Sequence, residues 1–386
     1  MADDLKAQLK ELVSHLETIV PYACALHKKR TGVRISVNRV QESVDPEDPA
    51  RGLVLTLWNG QSFYEYAAND WTWPALKERA TEIARIAASE RDPSKPTSDI
   101  DPGAPMTGDF KSPFEKDPES VPLAERLGLA RERMKRAVAA DPLVANAVSI
   151  LGNTLSEDTF VNRTKAVSQK ILRSDAILVV FVSKNGVTVD VHSGVSKNAG
   201  LEAATISDGE LRRMVEDAKR LLTAPRLEPG IYDVVTDPEW SGIIAHECFG
   251  HGMETDLYVR QRALSQRYIG KPVSAPIVNM FDDPSDIREA GGFFFDDEGQ
   301  PATRTHIIKD GVLQRGLTDL ASAHKLRLER SANGRRESFA RKAYARMTNT
   351  FFEGGKSTKD DLIASVEDGL YLRHATNGME DPQAWG

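Results

Sequence analysis

The sequence predicts an α+β fold: an N-terminal α/β region with antiparallel hairpins and flanking helices, and a mainly β C-terminal region carrying one motif-bearing helix. Three observations lead there. Apolar runs are joined by Asn-Gly or Asp-Gly pairs, the strongest short hairpin signal, and hairpins make antiparallel strands. The order helix, strands, Asn-Gly hairpin, helix occurs twice within the first 225 residues, which allows an internal duplication. Proline punctuation at Pro225 and Pro229 then opens a new unit at Gly230.

Leu5, Leu9, Leu12, Val13, Leu16, Ile19 and Val20 recur at helical spacing, so an amphipathic helix opens the chain and is expected to extend to Cys24. Residues 33–40 read as a strand with Val33, Ile35 and Val37 on one face. Residues 53–58 and 62–66 flank Asn59-Gly60, whose turn calls for positive φ at both central positions. A helix over 73–89 follows. Residues 91–122 are rich in Pro, Asp and Ser and read as an extended linker unable to build a core. A helix over 123–140, a strand region over 159–173, a hairpin at Asn185-Gly186 and a helix over 207–222 complete the second block. Beyond the boundary, a strand over 231–236 leads to a helix with strong start signals: Asp237 as N-cap, Pro238 at N1 and Glu239 in the first turn. An Asp310-Gly311 hairpin and a helix over 358–372 follow. The expected parts are therefore 1–90, the linker 91–122, 123–225, and a C-terminal unit over 230–386 that is incomplete at its C-terminus.

With 386 residues, 40% of them hydrophobic, the chain can bury a sizeable core without disulfide staples. Fifty Lys and Arg against 57 Asp and Glu give a net charge of −7, the wrong sign for electrostatic wrapping of nucleic acid. The longest apolar run, 177–182, falls far short of a membrane span. The charged opening MADDLKAQLKELVSHLE has no apolar h-region, and Cys24 and Cys248 are the only cysteines, so a reducing cytoplasmic location is expected.

The chemistry sits in His246-Glu247-Cys248-Phe249-Gly250-His251. Two neutral imidazoles can hold Zn²⁺, and the carboxylate beside them can act as general base toward water and then deliver the proton to a leaving amine. In the familiar H-E-x-x-H the histidines are four apart and share a helix face. Here they are five apart, which on a regular helix splays them by roughly 140°. Convergence requires a widened turn, a π-bulge, and Gly250 is the residue best able to tolerate one. A distorted helix is therefore expected at the motif.

The segment GIIAHECFGHGMETD resembles the signature of the TldD/PmbA family of metalloproteases. FFFDDEGQPATRTHIIKDGVLQRGLTD looks like the family's Asp-Asp-Glu-Gly turn and following hairpin. SANGRRESFARKAYARMTNTFFEGGKSTKDDLIASVEDGLY looks like its Gly-Arg-Arg-Glu-Ser stretch, Arg-Met-Thr-Asn-Thr segment and final helix. With His246, Glu247 and His251 in place, the chain looks like the TldD-type subunit rather than the paired type that lacks the motif. The resemblance implies a cytoplasmic zinc peptidase, working as a homodimer or heterodimer on unfolded peptides: His246 and His251 as zinc ligands, Glu247 as catalytic base. In the family the third ligand is a cysteine in a later Cys-Gly-Lys segment, which this sequence does not contain, so the third protein ligand is not found here. Two rival readings stand beside this one. One is a non-catalytic subunit that binds peptides or a partner; the other is an amide hydrolase of a natural-product pathway.

Glu254 and Asp256 are candidates for a third ligand or for carboxylates that orient an imidazole, against ordinary hydrogen bonding near a helix end. Cys248 reads as a small buried residue. Arg327, Arg330, Arg335, Arg336, Arg341, Lys342 and Arg346 form a basic stretch expected to make structural salt bridges, or else to clamp carboxylates. Asp282, Asp283, Asp296, Asp297 and Glu298 lack calcium-loop spacing and read as turn formers. His192, His306, His324 and His374 are isolated. No phosphate-binding loop, dinucleotide fingerprint or serine nucleophile elbow is present.

Overall fold

The computed structural model describes residues 2–375 and 378–384. Its N-terminal part is one sheet covered by helices. Helix α1 (Ala2–Leu16) precedes β1 (Tyr22–Val37), β2 (Glu42–Trp58) and β3 (Phe63–Ala68), and α2 (Trp73–Ser89) follows them. After β4 (Met106–Lys111) the pattern returns as α3 (Leu123–Ala139), β5 (Val144–Val161), β6 (Lys165–Lys184), β7 (Val187–Lys197) and α4 (Asp208–Leu221). The two blocks join where β1 and β5 pair antiparallel, from Ala25 opposite Val161 to Val37 opposite Ser149. The strand order is β3-β2-β1-β5-β6-β4, with β7 also on β6. At 20 residues β6 is long enough to hold two neighbours on one edge: β4 parallel along Lys165–Lys170, and β7 antiparallel from Ser174 to Lys184.

Period-two alternation decides what each face does. On β1, Ala23 and Ala25 pack with Leu9, Leu12, Leu16 and Leu76 of α1 and α2. On β5 and β6, Ala147, Leu151, Leu178 and Val180 pack with Met134, Ala137, Met214 and Val215 of α3 and α4. The alternate residues of β1, Tyr22, Cys24 and Leu26, face away from the helices and join Trp58, Phe160 and Val167 against Ile100, Phe295 and Leu320. The C-terminal region is thus a third layer on the opposite face of the sheet. Its Asp296–Gly299 turn docks by charge as well as by apolar contact. Lys28 pairs with Asp297 and, at 3.4 Å, with Asp158, while Gln169 Nε2 donates to the Phe295 carbonyl at 3.1 Å.

That third layer comprises β8 (Asp233–Thr236), α5 (Pro238–Ile244), α6 (Thr255–Val259), β9 (Met280–Asp282), β10 (Thr305–Lys309), β11 (Val312–Leu313), α7 (Leu320–Leu326), β12 (Gly334–Arg335), β13 (Tyr344–Ala345), β14 (Thr350–Phe352), α8 (Lys359–Ala364) and β15 (Gly369–Leu372). Four strands form a small sheet, β11-β10-β9-β14, and β15 pairs parallel with β8. No helix among the described residues is long and apolar enough to cross a membrane.

Several local expectations change. Helix α1 stops at Leu16, before Pro21, which has no amide to continue it. Cys24 therefore sits on β1 rather than on the helix, although it is buried as a core residue should be. At Asn185-Gly186 both φ values are positive, +51° and +82°, as a two-residue hairpin requires. Asn59-Gly60 instead opens a four-residue loop in which the Asn59 carboxamide oxygen accepts the amides of Gln61 and Ser62, and among this pair only Gly60 has positive φ. The Pro/Asp-rich segment does more than cross: it adds β4 to the sheet and buries Ile100. The last helix ends at Ala364, and residues 369–372 become a strand because β8 offers them a pairing edge.

Candidate metal centre

The motif is held by a well-anchored helix start. Asp237 caps α5 by accepting the Trp240 amide at 2.8 Å, and Thr236 Oγ1 bonds Ser241 Oγ at 2.7 Å. After about two turns of α5, residues Ala245–Gly250 form a π turn and His251–Met253 a 3₁₀ turn. The widening expected from the five-residue spacing is what the chain adopts. It sets the His246 and His251 rings edge to face, with centroids 4.7 Å apart and an interplanar angle of 86°.

Packing explains why the turn sits where it does. Ala245, Met253, Met280, Ile307, Leu313 and Met347 form the cluster beneath it. Gly250 has ordinary helical torsions, φ −60° and ψ −60°, so its lack of a side chain is not about backbone freedom. A Cβ there would lie 1.9 Å from Met347 Sδ; the glycine makes room for a core methionine. The outer side of the turn carries His246 and Cys248, both exposed. Cys248 is therefore not the buried residue its size suggested, because α5 presents no fully buried position and the turn faces outward there.

Donor atoms of Glu247, His251 and Glu380 all lie within 4.8 Å of one another, and among the described residues this is the one such three-donor group. His246 stands beside it rather than in it. Glu380 arrives from the last described segment, which runs across the motif: a Cβ on Gly378 would meet Glu247 Cγ at 2.5 Å, and the Leu264 amide donates to the Pro382 carbonyl at 2.8 Å. Behind His251, Glu254 approaches its Nδ1 at 3.4 Å and also accepts from Arg346 Nη1 at 2.9 Å. The Glu254 carboxylate beside it raises the His251 pKa above its ordinary value, against the opposing effect of burial. Burial pushes Asp256 up to about 6, although Arg346 stands 3.7 Å away. These donors are chemically suited to a divalent ion: an imidazole and two carboxylates converge, with a second imidazole adjacent.

The sequence of the unit around this site matches the family model "PmbA/TldA metallopeptidase C-terminal domain" over residues 229–385. The chain belongs to the TldD/PmbA family. A metalloprotease of Methanothermobacter thermautotrophicus is 30% identical over 282 residues, covering 72% of this chain and 61% of that protein. A metalloprotease TldD homolog of Haemophilus influenzae is 35% identical over 209 residues, covering 52% of this chain and 43% of that protein. The chain thus spans less than two thirds of the length of these relatives. The fold is shared with TldE from Thermococcus kodakarensis, at TM-score 0.71 and 16% identity over 97% of this chain and 84% of that one.

Within this TldD/PmbA chain, the other sequence candidates mostly build structure. Asp282, fully buried, accepts from Asn333 Nδ2, the Thr348 amide and hydroxyl, and the Thr350 hydroxyl at 2.7–2.8 Å. Asp296 accepts the amides of Glu298, Gln300 and Gly334. In the basic stretch, Arg336 pairs with Glu65 across the layer boundary, Arg330 with Glu298, and Arg346 with Glu254. His374 meets Asp217 at 3.2 Å, and His324 bonds Ser98 Oγ at 2.9 Å. Sequence reasoning missed Glu380. It is 129 positions beyond His251, in a stretch with no periodicity or motif, and only the tertiary fold brings it back.

Proposed function

We propose that this chain is a zinc metallopeptidase acting on unfolded peptides or small unstructured proteins, with His246 and His251 as metal ligands and Glu247 as general base. The observation that carries the reading is the π turn, which brings together two imidazoles that a regular helix would separate. Glu380 offers a further donor, supplying the three protein ligands a catalytic site normally has. His246 is exposed beside this set, its ring centroid 4.7 Å from that of His251. When bound, the zinc ion would supply Lewis-acid polarisation of the scissile carbonyl.

The chain's own groups do the rest. The Glu247 carboxylate takes a proton from the attacking water and returns it to the departing amide nitrogen. Glu254, itself held by Arg346, fixes the His251 ring through Nδ1 and leaves Nε2 as its free nitrogen. The same reading places the protein in the cytoplasm and pairs it with a second copy or another family member.

The test is zinc content by mass spectrometry together with cleavage of a fluorogenic unstructured peptide, with a Glu247→Gln comparison. Loss of a general base should slow turnover at least about 100-fold with zinc retained. Equal turnover by both proteins overturns the mechanism. Protein that binds the peptide with no cleavage at any zinc loading supports the non-catalytic binding subunit instead.

A further inference from the structure

A cavity of about 1330 Å³ lies between the sheet and the C-terminal layer, lined by Trp58 on the sheet and Tyr344 in the C-terminal layer. Its wall includes Asp256 on α6, the helix that begins four residues after His251. Two cations at this cavity have unused donors. Lys165 is only 2% exposed, yet its ammonium makes no hydrogen bond or ion pair among the described residues. Arg330, with a side chain 13% exposed, uses Nη2 on the Glu298 carbonyl at 3.2 Å, while Nε and Nη1 are buried without a partner.

Nearby carboxylates leave Lys165 Nζ and Arg330 Nε and Nη1 without a hydrogen bond, although Glu298 forms an ion pair with Arg330 Nη2 at 3.8 Å. Asp296 accepts three backbone amides, Glu298 accepts the Leu320 amide, and Asp319 accepts the amides of Ser322 and Ala345. Burial, and then the Arg330 charge, push Lys165 down to about 8, the mark of an ammonium without its own counter-ion. A buried, unpaired charge is costly and is retained where something else completes it. Asp296 and Asp101, whose charges act on Lys165 in the opposite sense, make a singly charged acceptor easier to seat than a phosphate dianion.

We propose that Lys165 and Arg330 form a carboxylate-binding subsite that holds the free C-terminal carboxylate of a peptide in this cavity. The proposal rests on the peptidase reading only in taking a peptide as the ligand. Its test therefore measures binding, not cleavage. A hexapeptide ending in leucine is titrated as free acid and as C-terminal amide into wild-type protein, Glu247→Gln and Lys165→Met. The free acid should bind at least about tenfold tighter than the amide to the first two, as expected for a charge-assisted contact, and the preference should vanish in Lys165→Met. A structural lysine would destabilise the protein when lost; an unpaired one should leave the melting temperature of Lys165→Met unchanged or raised. As a measurement independent of any variant, amine acylation of Lys165 mapped by mass spectrometry should be blocked by the free acid and not by the amide. Equal affinity for acid and amide overturns the proposal, as does a preference that survives Lys165→Met. Protection of Lys165 by inorganic phosphate but not by the acid peptide also overturns it, in favour of a free-anion site. If cleavage fails while the acid preference holds, the catalytic reading falls and the subsite stands.

Discussion

Gly299 is where the C-terminal layer meets the sheet, and replacing it by alanine tests how that contact is made. Its φ is +71°, and a Cβ there would lie 2.1, 2.3 and 2.7 Å from three ring carbons of Phe160. Phe160 is fully buried among Tyr22, Val167 and Phe295, so its ring has nowhere to retreat. The left-handed conformation costs an L-residue about 1–2 kcal/mol, and forcing a methyl into a packed core costs about 1–3 kcal/mol more. Gly299→Ala should therefore lose about 2–5 kcal/mol, measured by urea unfolding followed through tryptophan fluorescence. In a Phe160→Ala background the same change should cost only the backbone part, about 1–2 kcal/mol, because the space has been vacated. A loss below about 1 kcal/mol in the wild-type background refutes the packing argument, and so does an undiminished loss in the Phe160→Ala background.

Asp282→Ala removes a fully buried acceptor shared by four donors and should cost about 2–4 kcal/mol in denaturant unfolding; a loss under about 1 kcal/mol would show that the Asp282 hub is not structural. Lys165 carries a pH signature, since its pKa falls from the ordinary 10.5 to about 8 on folding. The unfolded chain then holds the extra proton between those values, so the penalty is full below about pH 8 and fades as pH rises toward 10.5. Wild type should gain on Lys165→Met across that window by at most about 3 kcal/mol, and a stability gap constant with pH contradicts the burial of a free ammonium. Glu380→Gln should weaken zinc binding at least about tenfold by equilibrium dialysis; unchanged affinity removes Glu380 from the ligand set.

Local chemistry was legible where a short stretch of chain decides its own conformation. The Asn185-Gly186 turn, the Asp237 cap with Pro238 behind it, and the shared face of Val33, Ile35 and Val37 follow from residue types at fixed offsets, and the structure has them. The widened motif turn was legible for the same reason: two histidines five apart cannot share a face of a regular helix. The reason for Gly250 was not, because the atom that needs its space belongs to Met347, nearly a hundred residues later.

By itself, then, the order of residues determined the elements, the motif and the strain the motif imposes, all of which depend on neighbours within a few positions. The fold of the whole chain decided what those elements touch. It placed Cys24 on a strand, made 369–372 a strand beside β8, brought Glu380 to His251 and left Lys165 without a counter-ion. Each of these outcomes depends on a contact between distant segments, and burial and pairing energies across such contacts outweigh local propensity.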